Sequence, residues 1–251
     1  MSEWYLKEDF WTKFGPIMFD DARWAEAPAV AQYVKDIGGL KEGDSVLDAG
    51  CGVGRIAVEL AALNLNVTGV DIIQSELDAA RESAEGEGVP LNLINADLRT
   101  FTSPEKYDCA VNLYTSFGYC DTVEEDMEIL KNIADSVKDG GTFIMECTSR
   151  ETAIMYFTKG EEFERAGYNV KTDFGVVGDW EGLRSHWTLY GIGENKGQVI
   201  DHEFVQRLYS AVELREFLKN IGFSHVNVYG DFDYSPYDEK ARTMIIVARK
   251  D

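Results

Sequence analysis

The stretch SVLDAGCGVGRIAVEL, Ser45–Leu60, sets the fold of this chain. The apolar residues Val46 and Leu47 predict a buried strand, and the spacing of Ile56 and Leu60 predicts a helix. Between them lies the run D-A-G-C-G-V-G. Glycines let the backbone turn sharply and let a ligand lie against it, and the helix that follows offers unpaired N–H groups. The stretch therefore predicts a ligand site at the carboxyl end of a parallel strand.

The spacing of the glycines distinguishes two kinds of nucleoside site. A dinucleotide fingerprint has the form G-x-G-x-x-G. Counted from Gly50, the sixth position of this chain is Arg55, and the run has the form D-x-G-x-G-x-G. That run resembles the first motif of class I S-adenosylmethionine (SAM)-dependent methyltransferases. The resemblance covers residues 41–147 and, less closely, residues 210–249, and it implies SAM as the cofactor.

Acidic residues follow the next two predicted strands, Asn66–Asp71 and Val89–Ile94. Asp71 lies 19 residues beyond Gly52, where a carboxylate accepts hydrogen bonds from the ribose hydroxyls of either NAD or SAM. In the resembled family, an Asp after the third strand accepts a hydrogen bond from the adenine amino group, and Asp97 matches that place. The resemblance also implies that the backbone of Leu98 meets the adenine ring.

The fourth predicted strand, Tyr107–Leu113, leads into the string Y-T-S-F-G-Y. This string resembles the loop of small-molecule methyltransferases that act on amino sugars and related metabolites, where it holds the methionine end of SAM and abuts the acceptor. It lacks the N-P-P-Y or D-P-P-Y string typical of base and glutamine amide N-methylation, which argues against nucleic acid substrates. The resemblance thus implies cofactor binding by Asp48, Gly50, Cys51, Gly52, Asp71, Ile72, Asp97, Leu98, Asn112 and Leu113.

Three side chains are candidates for the chemistry at the methyl acceptor: Tyr114, Glu146 and His186. An amine or hydroxyl acceptor loses a proton during methyl transfer, so a base within hydrogen-bond reach helps. Glu146 ends the fifth predicted strand near the site, and a surface carboxylate is the alternative interpretation. His186 lies in a predicted hairpin, and a partly exposed strand histidine is the alternative. Positioning of donor and acceptor without a dedicated base is a further alternative.

The sequence predicts three structural parts. The first is an N-terminal helical lid, residues 1–40. The second is a SAM-binding Rossmann-like core, residues 41–147 with 210–251. The third is an inserted antiparallel β subdomain that covers the substrate, residues 148–209. In the lid, Tyr5, Trp11 or Phe14 would cover the adenosine or the substrate. Packing of a peripheral helix, Asp21–Ile37, on the sheet is the alternative interpretation of the same segment.

The last third of the chain distinguishes this fold from a dinucleotide-binding fold. The insertion contains a predicted hairpin, Arg184–Tyr190 with Val199–Tyr209, and no α/β alternation. Two strands near the end, His225–Tyr229 and Thr243–Ala248, are joined by a connection that does not comfortably hold a right-handed crossover helix. The expected fold class is α/β, with a seven-stranded Rossmann-like methyltransferase sheet whose last strand is antiparallel, helices on both faces, and a small antiparallel β insertion.

Charge and cysteine content bear on partners and location. The 251 residues include 24 basic and 45 acidic side chains, a formal net charge of −21. Such a chain repels nucleic acid and anionic membranes, and it weakly favours an amine substrate; solubility in an acidic proteome is the alternative explanation. The four cysteines form no C-x-x-C, so we expect no metal site and a reducing cytoplasm. We also expect no secretion signal and no membrane span.

We therefore predict an enzyme, a SAM-dependent methyltransferase that transfers a methyl group to a nitrogen or oxygen of a small-molecule metabolite. Its partner is the small-molecule acceptor, with no nucleic acid and no membrane, and the oligomeric state, monomer or homodimer, is left open. Two other classes remain open from the sequence. An NAD-linked oxidoreductase shares the glycine turn and Asp71, and a non-catalytic SAM-binding protein shares the whole cofactor site.

Overall fold

The computed structural model describes residues 4–251, which form two β-sheets and the helices around them. In chain order the strands are β1 Ser45–Ala49, β2 Asn66–Asp71, β3 Asn92–Asn95, β4 Tyr107–Asn112, β5 Val137–Cys147, β6 Glu162–Arg165, β7 Tyr168–Val177, β8 Gly182–Gly191, β9 Val199–Arg207, β10 His225–Tyr229 and β11 Met244–Arg249. The helices are α1 Glu8–Met18, α2 Asp21–Gly38, α3 Arg55–Ala62, α4 Gln74–Glu87, α5 Val123–Asp135, α6 Arg150–Met155 and α7 Ala211–Asn220.

The larger sheet has seven strands in the order β10-β11-β5-β4-β1-β2-β3. β1 pairs in parallel with β2 and β4, and β4 pairs in parallel with β5. β11 is antiparallel to both of its neighbours, β5 and β10. The predicted fold class, including the antiparallel last strand, is confirmed.

Helices cover both faces of the larger sheet, as its apolar strands require. Adjacent side chains of β1 point to opposite faces. Val46 joins a core cluster with α2 and α3, whereas Leu47 joins a second cluster with α5 and α7. α5 is capped by the preceding residue, Thr122, whose side chain accepts a hydrogen bond from the Glu125 backbone N–H in a capping box.

The second sheet is an antiparallel meander, β6-β7-β8-β9. The predicted hairpin corresponds to β8 and β9, with Thr188 opposite Asp201. The segment also contains β6 and α6, which the sequence analysis did not predict. β6 has only half-buried apolar positions and α6 spans a turn and a half, so neither leaves a clear periodic pattern.

The N-terminal segment is divided between the two sheets. α1 packs on the second sheet, where Trp4, Phe10 and Phe14 form a cluster with Val170 and Leu189. α2 instead packs on the larger sheet and α3. Because the two helices rest on different sheets, the segment bridges them. No helix within residues 4–251 is long and apolar enough to cross a bilayer.

Candidate active site

A cavity of about 830 Å³ opens at the carboxyl ends of β1, β2, β4 and β5. This edge of a parallel sheet is where ligands bind in open α/β folds. The predicted site residues that line the cavity are Asp48, Gly50, Cys51, Gly52, Asp71, Ile72, Asp97, Leu98, Leu113, Tyr114 and Glu146. The structure thus brings eleven of the predicted positions to one cavity, and it leaves Asn112 and His186 outside.

The glycine turn has the backbone conformation that its sequence predicts. Gly50, Gly52 and Gly54 have φ values of +82°, +50° and +75°, in the left-handed region that favours glycine. A Cβ on Gly54 would lie 2.7 Å from the Cβ of Ala80, so a side chain there would collide with α4. The N–H of Gly50 donates to the Val70 carbonyl at 2.8 Å and holds the turn against β2.

Asp71 is tied to the turn by the backbone. Its Oδ2 accepts a hydrogen bond from the Gly52 N–H at 2.8 Å, and its Oδ1 accepts from the Ile73 N–H at 3.0 Å. A carboxylate has about four lone-pair positions, so each oxygen retains capacity for a further donor. Burial raises the pKa of Asp71, and the two backbone hydrogen bonds partly oppose that rise. This geometry suits a carboxylate that accepts hydrogen bonds from the two hydroxyl groups of a vicinal diol.

Two further carboxyl groups beside Asp71 make the cavity acidic. Burial raises the pKa of Asp48 to about 7, with a smaller contribution from Asp71. Burial and the charge of Asp71 likewise raise the pKa of Glu76 to about 7. A cation placed between these groups favours their ionised forms. The sequence analysis missed Glu76, although its place in the first turn of the helix after Asp71 was a readable signal.

Asp97 lines the cavity and is paired with Arg99. The Arg99 Nε lies 2.9 Å from Oδ2, and the Arg99 backbone N–H donates to Oδ1 at 2.8 Å. Burial raises the pKa of Asp97, but the hydrogen bonds from Arg99 outweigh it and the net shift is downward. The predicted hydrogen bond from the adenine amino group would therefore go to a carboxylate that already accepts hydrogen bonds from Arg99.

Tyr114 lies where β4 leaves the sheet, in an unusual backbone conformation. Tyr114 and Thr115 have φ values of +56° and +62°, which cost roughly 1–3 kcal/mol each for side chains other than glycine. The phenol donates to Glu26 Oε1 at 3.0 Å, and the Arg55 guanidinium carbon lies 3.8 Å from the ring centroid. Burial raises the pKa of Tyr114. The phenol thus acts as a hydrogen-bond donor to Glu26.

Arg55 is a site residue that the sequence analysis used only to exclude the dinucleotide fingerprint. Its side chain is buried, lines the cavity and also donates a hydrogen bond to the Arg23 carbonyl. Arg23 and Glu26 line the same wall from α2. Their i, i+3 spacing was visible in the sequence, but which face of α2 meets the cavity depends on how the helix packs.

Glu146 carries a buried carboxylate at the end of β5. Its Oε1 accepts a hydrogen bond from the Thr243 hydroxyl. Its Oε2 is shielded from solvent and has no hydrogen-bond partner among residues 4–251. Burial raises the pKa of Glu146, and the hydrogen bond from Thr243, the backbone N–H groups of Tyr114 and Thr115 and the charge of Arg23 partly oppose that rise. A buried unpaired carboxylate oxygen is costly, so this atom is suited to meet a donor on a ligand in the cavity.

Two of the predicted site residues do not reach the cavity. Asn112 is completely buried, and its Nδ2 donates to the Ala49 carbonyl at 2.7 Å, so it braces the end of β1 from behind. His186 pairs with Asp201 Oδ1 at 2.8 Å on the second sheet. Neither side chain lines the cavity, and their roles at the cofactor and at the acceptor stay predictions. On the hairpin, strand alternation put His186 and His202 on opposite faces, and only the side of His202 packs against the N-terminal aromatic residues.

The N-terminal aromatic residues contribute unequally to the cavity. Tyr5 and Trp11 line it, and the Trp11 indole N–H donates to the Tyr5 carbonyl at 2.8 Å. Phe14 instead stacks on Phe10, with ring centroids 4.7 Å apart, inside the cluster on the second sheet. Of the three residues predicted to cover a ligand, two are placed where they can do so.

Comparisons with known proteins bear on the cofactor. Residues 46–141 match the family model described as a methyltransferase domain. A SAM-dependent methyltransferase from Clostridium acetobutylicum superposes with a TM-score of 0.80 at 16% identity, covering 96% of this chain and 98% of that one. Residues 46–141 thus form a methyltransferase domain, on a fold shared with a SAM-dependent methyltransferase. The predicted family and its cofactor class are confirmed, whereas the assignment of individual residues to the cofactor stays a prediction.

Relatives of this methyltransferase domain include enzymes with different acceptors. The ubiquinone biosynthesis O-methyltransferase of Rickettsia canadensis is 30% identical over 121 residues, 48% of each chain. The chain thus spans about half the length of this relative. The putative methyltransferase YqeM of Bacillus subtilis is 24% identical over 215 residues, 84% of this chain and 86% of that one. CalS10, an amino pentose methyltransferase from Micromonospora echinaspora, superposes with a TM-score of 0.68 at 19% identity, covering 90% and 92%.

Proposed function

We propose that this protein is a SAM-dependent methyltransferase whose acceptor is a nitrogen of a small-molecule amine. The observation that carries the proposal is the unpartnered Oε2 of Glu146, in the same cavity as the glycine turn and Asp71. An amine brings N–H donors to such an atom in both its charged and its neutral form. Carboxylates also outnumber arginines in the described lining, by seven to four, which favours cationic ligands.

The cavity has room for donor and acceptor together. Small-molecule pockets typically measure about 300–1,000 Å³, and this one is about 830 Å³. The cofactor fits the half that contains the glycine turn, Asp71, Ile72 and Leu98. The other half, around Glu146, is left for the acceptor.

The relatives support nitrogen over oxygen as the acceptor atom. The O-methyltransferase match covers 48% of this chain. Solved structures that cover 90% of the chain include an amino pentose methyltransferase and a sugar N-methyltransferase. The N-methyltransferases are thus similar to this chain over a larger share of its length.

The side chains of the cavity have separable tasks in such a reaction. SAM supplies an electrophilic methyl group on a sulfonium. The amine must present its lone pair to that carbon; the N–C bond forms, the C–S bond breaks with its electron pair going to sulfur, and the nitrogen gives up a proton. Glu146 holds the amine by its N–H groups and is placed to take that proton. Tyr5 and Trp11 exclude water, which strengthens these electrostatic contacts.

We propose in addition that residues 1–40 act as the lid and residues 148–209 as the substrate cover. Support comes from α1, which rests on the second sheet and leads Tyr5 and Trp11 to the cavity. The core, residues 41–147 with 210–251, then provides the cofactor half. A deletion of residues 1–18 should preserve the fold of the core while exposing bound cofactor to solvent, as measured by limited proteolysis and cofactor dissociation rate.

Calorimetric titration with S-adenosylhomocysteine (SAH), with NADH in parallel, tests the cofactor, and SAH release from SAM with an amine panel tests the reaction. We expect micromolar SAH binding, no NADH binding, and turnover with amines. Binding of NADH alone would contradict the proposal and favour hydride transfer. SAH binding without turnover on amines or alcohols would instead favour a non-catalytic SAM-binding protein.

A further inference from the structure

A second cavity of about 390 Å³ lies beside the first. Thr148 and Arg242 line both cavities. The far wall of the second cavity is apolar, formed by the half-buried side chains of Phe157, Phe174 and Leu183. The cavity that contains the Glu146 carboxylate is therefore separated from this apolar chamber, between α6 and the second sheet, only by the two side chains that line both.

The apolar chamber is built on fixed elements. Phe157 packs edge-on against Trp180, with ring centroids 5.4 Å apart. Phe174 and Leu183 lie on the long paired strands β7 and β8, and the Phe174 N–H donates to the Lys159 carbonyl at 3.0 Å. The Arg242 guanidinium carbon lies 5.5 Å from the Tyr156 ring centroid. Aromatic walls held in this way are typical of a pre-formed ligand site.

The outer rim of the chamber includes an exposed aromatic side chain. Tyr156 lines the chamber and is 43% exposed. An apolar ligand entering beside Tyr156 therefore meets an aromatic ring before it reaches Phe157, Phe174 and Leu183.

Glu146 and the chamber are close enough for one molecule to reach both. Glu146 and Thr148 both line the first cavity and are two residues apart, on either side of Cys147, where β5 ends. At the rise of an extended strand, that separation is about 7 Å. A chain of a few methylene groups spans it, with a nitrogen at Glu146 and an apolar group beyond Thr148.

We propose that the second cavity holds the apolar body of the methyl acceptor, so that the acceptor is a hydrophobic amine with an aryl or branched alkyl group. This inference rests on the proposed function and narrows its substrate class. The amine provides the donor that Glu146 Oε2 lacks, and the apolar body fills the space between Phe157, Phe174 and Leu183. A small polar amine meets only the first of these requirements.

The test uses two amines that differ in their apolar body, 4-phenylbutylamine and propylamine. Each is titrated calorimetrically into the full-length protein, with and without saturating SAH. Burial of a phenyl group favours binding at least tenfold, so we expect 4-phenylbutylamine to bind more tightly by that factor in both states. Because the chamber needs no cofactor for its walls, the titration without SAH gives a result even if SAH does not bind.

Two variants fill the chamber from different sides. Ala153→Leu adds bulk at its base, and Thr158→Trp adds bulk at its exposed rim, where misfolding is not expected. Both should reduce the preference for 4-phenylbutylamine at least fivefold and leave propylamine binding unchanged. The matched control is Val199→Trp, at a site that is 63% exposed and lines neither cavity.

Three outcomes overturn the inference. They are equal affinity for the two amines, no binding of either amine, and an unchanged preference in both chamber variants. Failure of the proposed function has a different signature, since SAH then fails to bind or no SAH forms from SAM with any amine. Tight binding of 4-phenylbutylamine without SAH formation keeps the chamber as an apolar ligand site and removes the methyl transfer.

Discussion

The two halves of the main cavity are built in different ways. The half proposed to hold the cofactor consists of a glycine turn and of acids that follow β2 and β3, so each of its parts lies within a few residues of a strand end. The half proposed to hold the acceptor draws Tyr5 and Trp11 from the N-terminal segment, Glu146 from β5 and Thr243 from just before β11. A site built from strand ends is specified by local sequence, whereas a site built from distant segments is specified by packing.

The largest expected effect comes from a substitution on the acceptor side, which should change turnover without changing cofactor affinity. Glu146→Gln keeps the shape of the side chain and removes the proton acceptor, so turnover with an amine should fall by about 10²–10⁴-fold. SAH affinity should stay within about twofold, because the cofactor half is not altered. The measurements are steady-state SAH formation and calorimetry. Equal losses in turnover and in SAH affinity would show that the halves are not separable at Glu146.

The next effect tests the cofactor half through its backbone. Gly54→Ala places a Cβ at φ +75° and 2.7 Å from Ala80, and strain and overpacking of this kind cost about 2–4 kcal/mol of the free energy of unfolding. The matched control is Gly86→Ala, at a helical position with open space, which should stabilise by up to about 1 kcal/mol. Urea unfolding measures both. Equal behaviour of the two variants would contradict a turn held in place by α4.

Substitution of Asp71 should have a smaller effect, limited to cofactor affinity. Asp71→Ala should weaken SAH binding by about 1–3 kcal/mol, the cost of losing hydrogen bonds to a charged acceptor. Asp78→Ala, on the exposed face of α4 and paired with Arg81, is the control and should leave SAH binding unchanged. Calorimetry at one salt concentration compares them. Unchanged affinity in a folded Asp71 variant would remove this residue from the ribose site.

The smallest expected effect is a pH dependence of cofactor binding. The pKa values of Asp48 and Glu76 are raised to about 7, so a cationic ligand releases protons when it draws both groups to their charged forms. SAM affinity should therefore rise a few-fold, up to about tenfold per released proton, between pH 6 and pH 8. SAH, with a neutral thioether, should show a shallower rise. Calorimetry in buffers of different ionisation enthalpy counts the protons.

The carboxyl groups of Asp48 and Glu76 also make the stability of the free protein depend on pH. This stability should fall as pH rises, whereas cofactor affinity should increase. Their pKa values in the folded state lie above those of the unfolded chain, so the folded state binds more protons between about pH 4 and pH 7. The free energy of unfolding should fall as pH rises through that window, and saturating SAM should reduce the fall. Urea unfolding at pH 5.5 and pH 7.5 measures this, and Asp48→Asn should flatten the slope.

The contrast between local sequence and long-range packing also explains how much of the site could be predicted from the sequence. The turn at Gly50 and the position of Asp71 follow from short-range geometry, and their placement at the cavity was predicted. The position of Asn112 outside the lining was not readable, because its strand is clear but its pairing with the Ala49 carbonyl is not. The position of His186 outside the lining was not readable either, because alternation along a hairpin defines two faces without telling which one meets the rest of the protein. The hydrogen bond from Thr243 to Glu146 joins residues 97 apart in the chain, and no local pattern shows it.

The paired left-handed residues Tyr114 and Thr115 have a consequence for how this chain would respond to selection. Glycine at either position would relieve roughly 1–3 kcal/mol of backbone strain, so selection for stability alone would favour losing both side chains. Their presence therefore indicates that the chain is less stable than it could be because the Tyr114 phenol is held against Glu26 and Arg55. An engineering effort that ranks substitutions by melting temperature would choose these positions early, and in doing so would remove the phenol from the wall of the cavity.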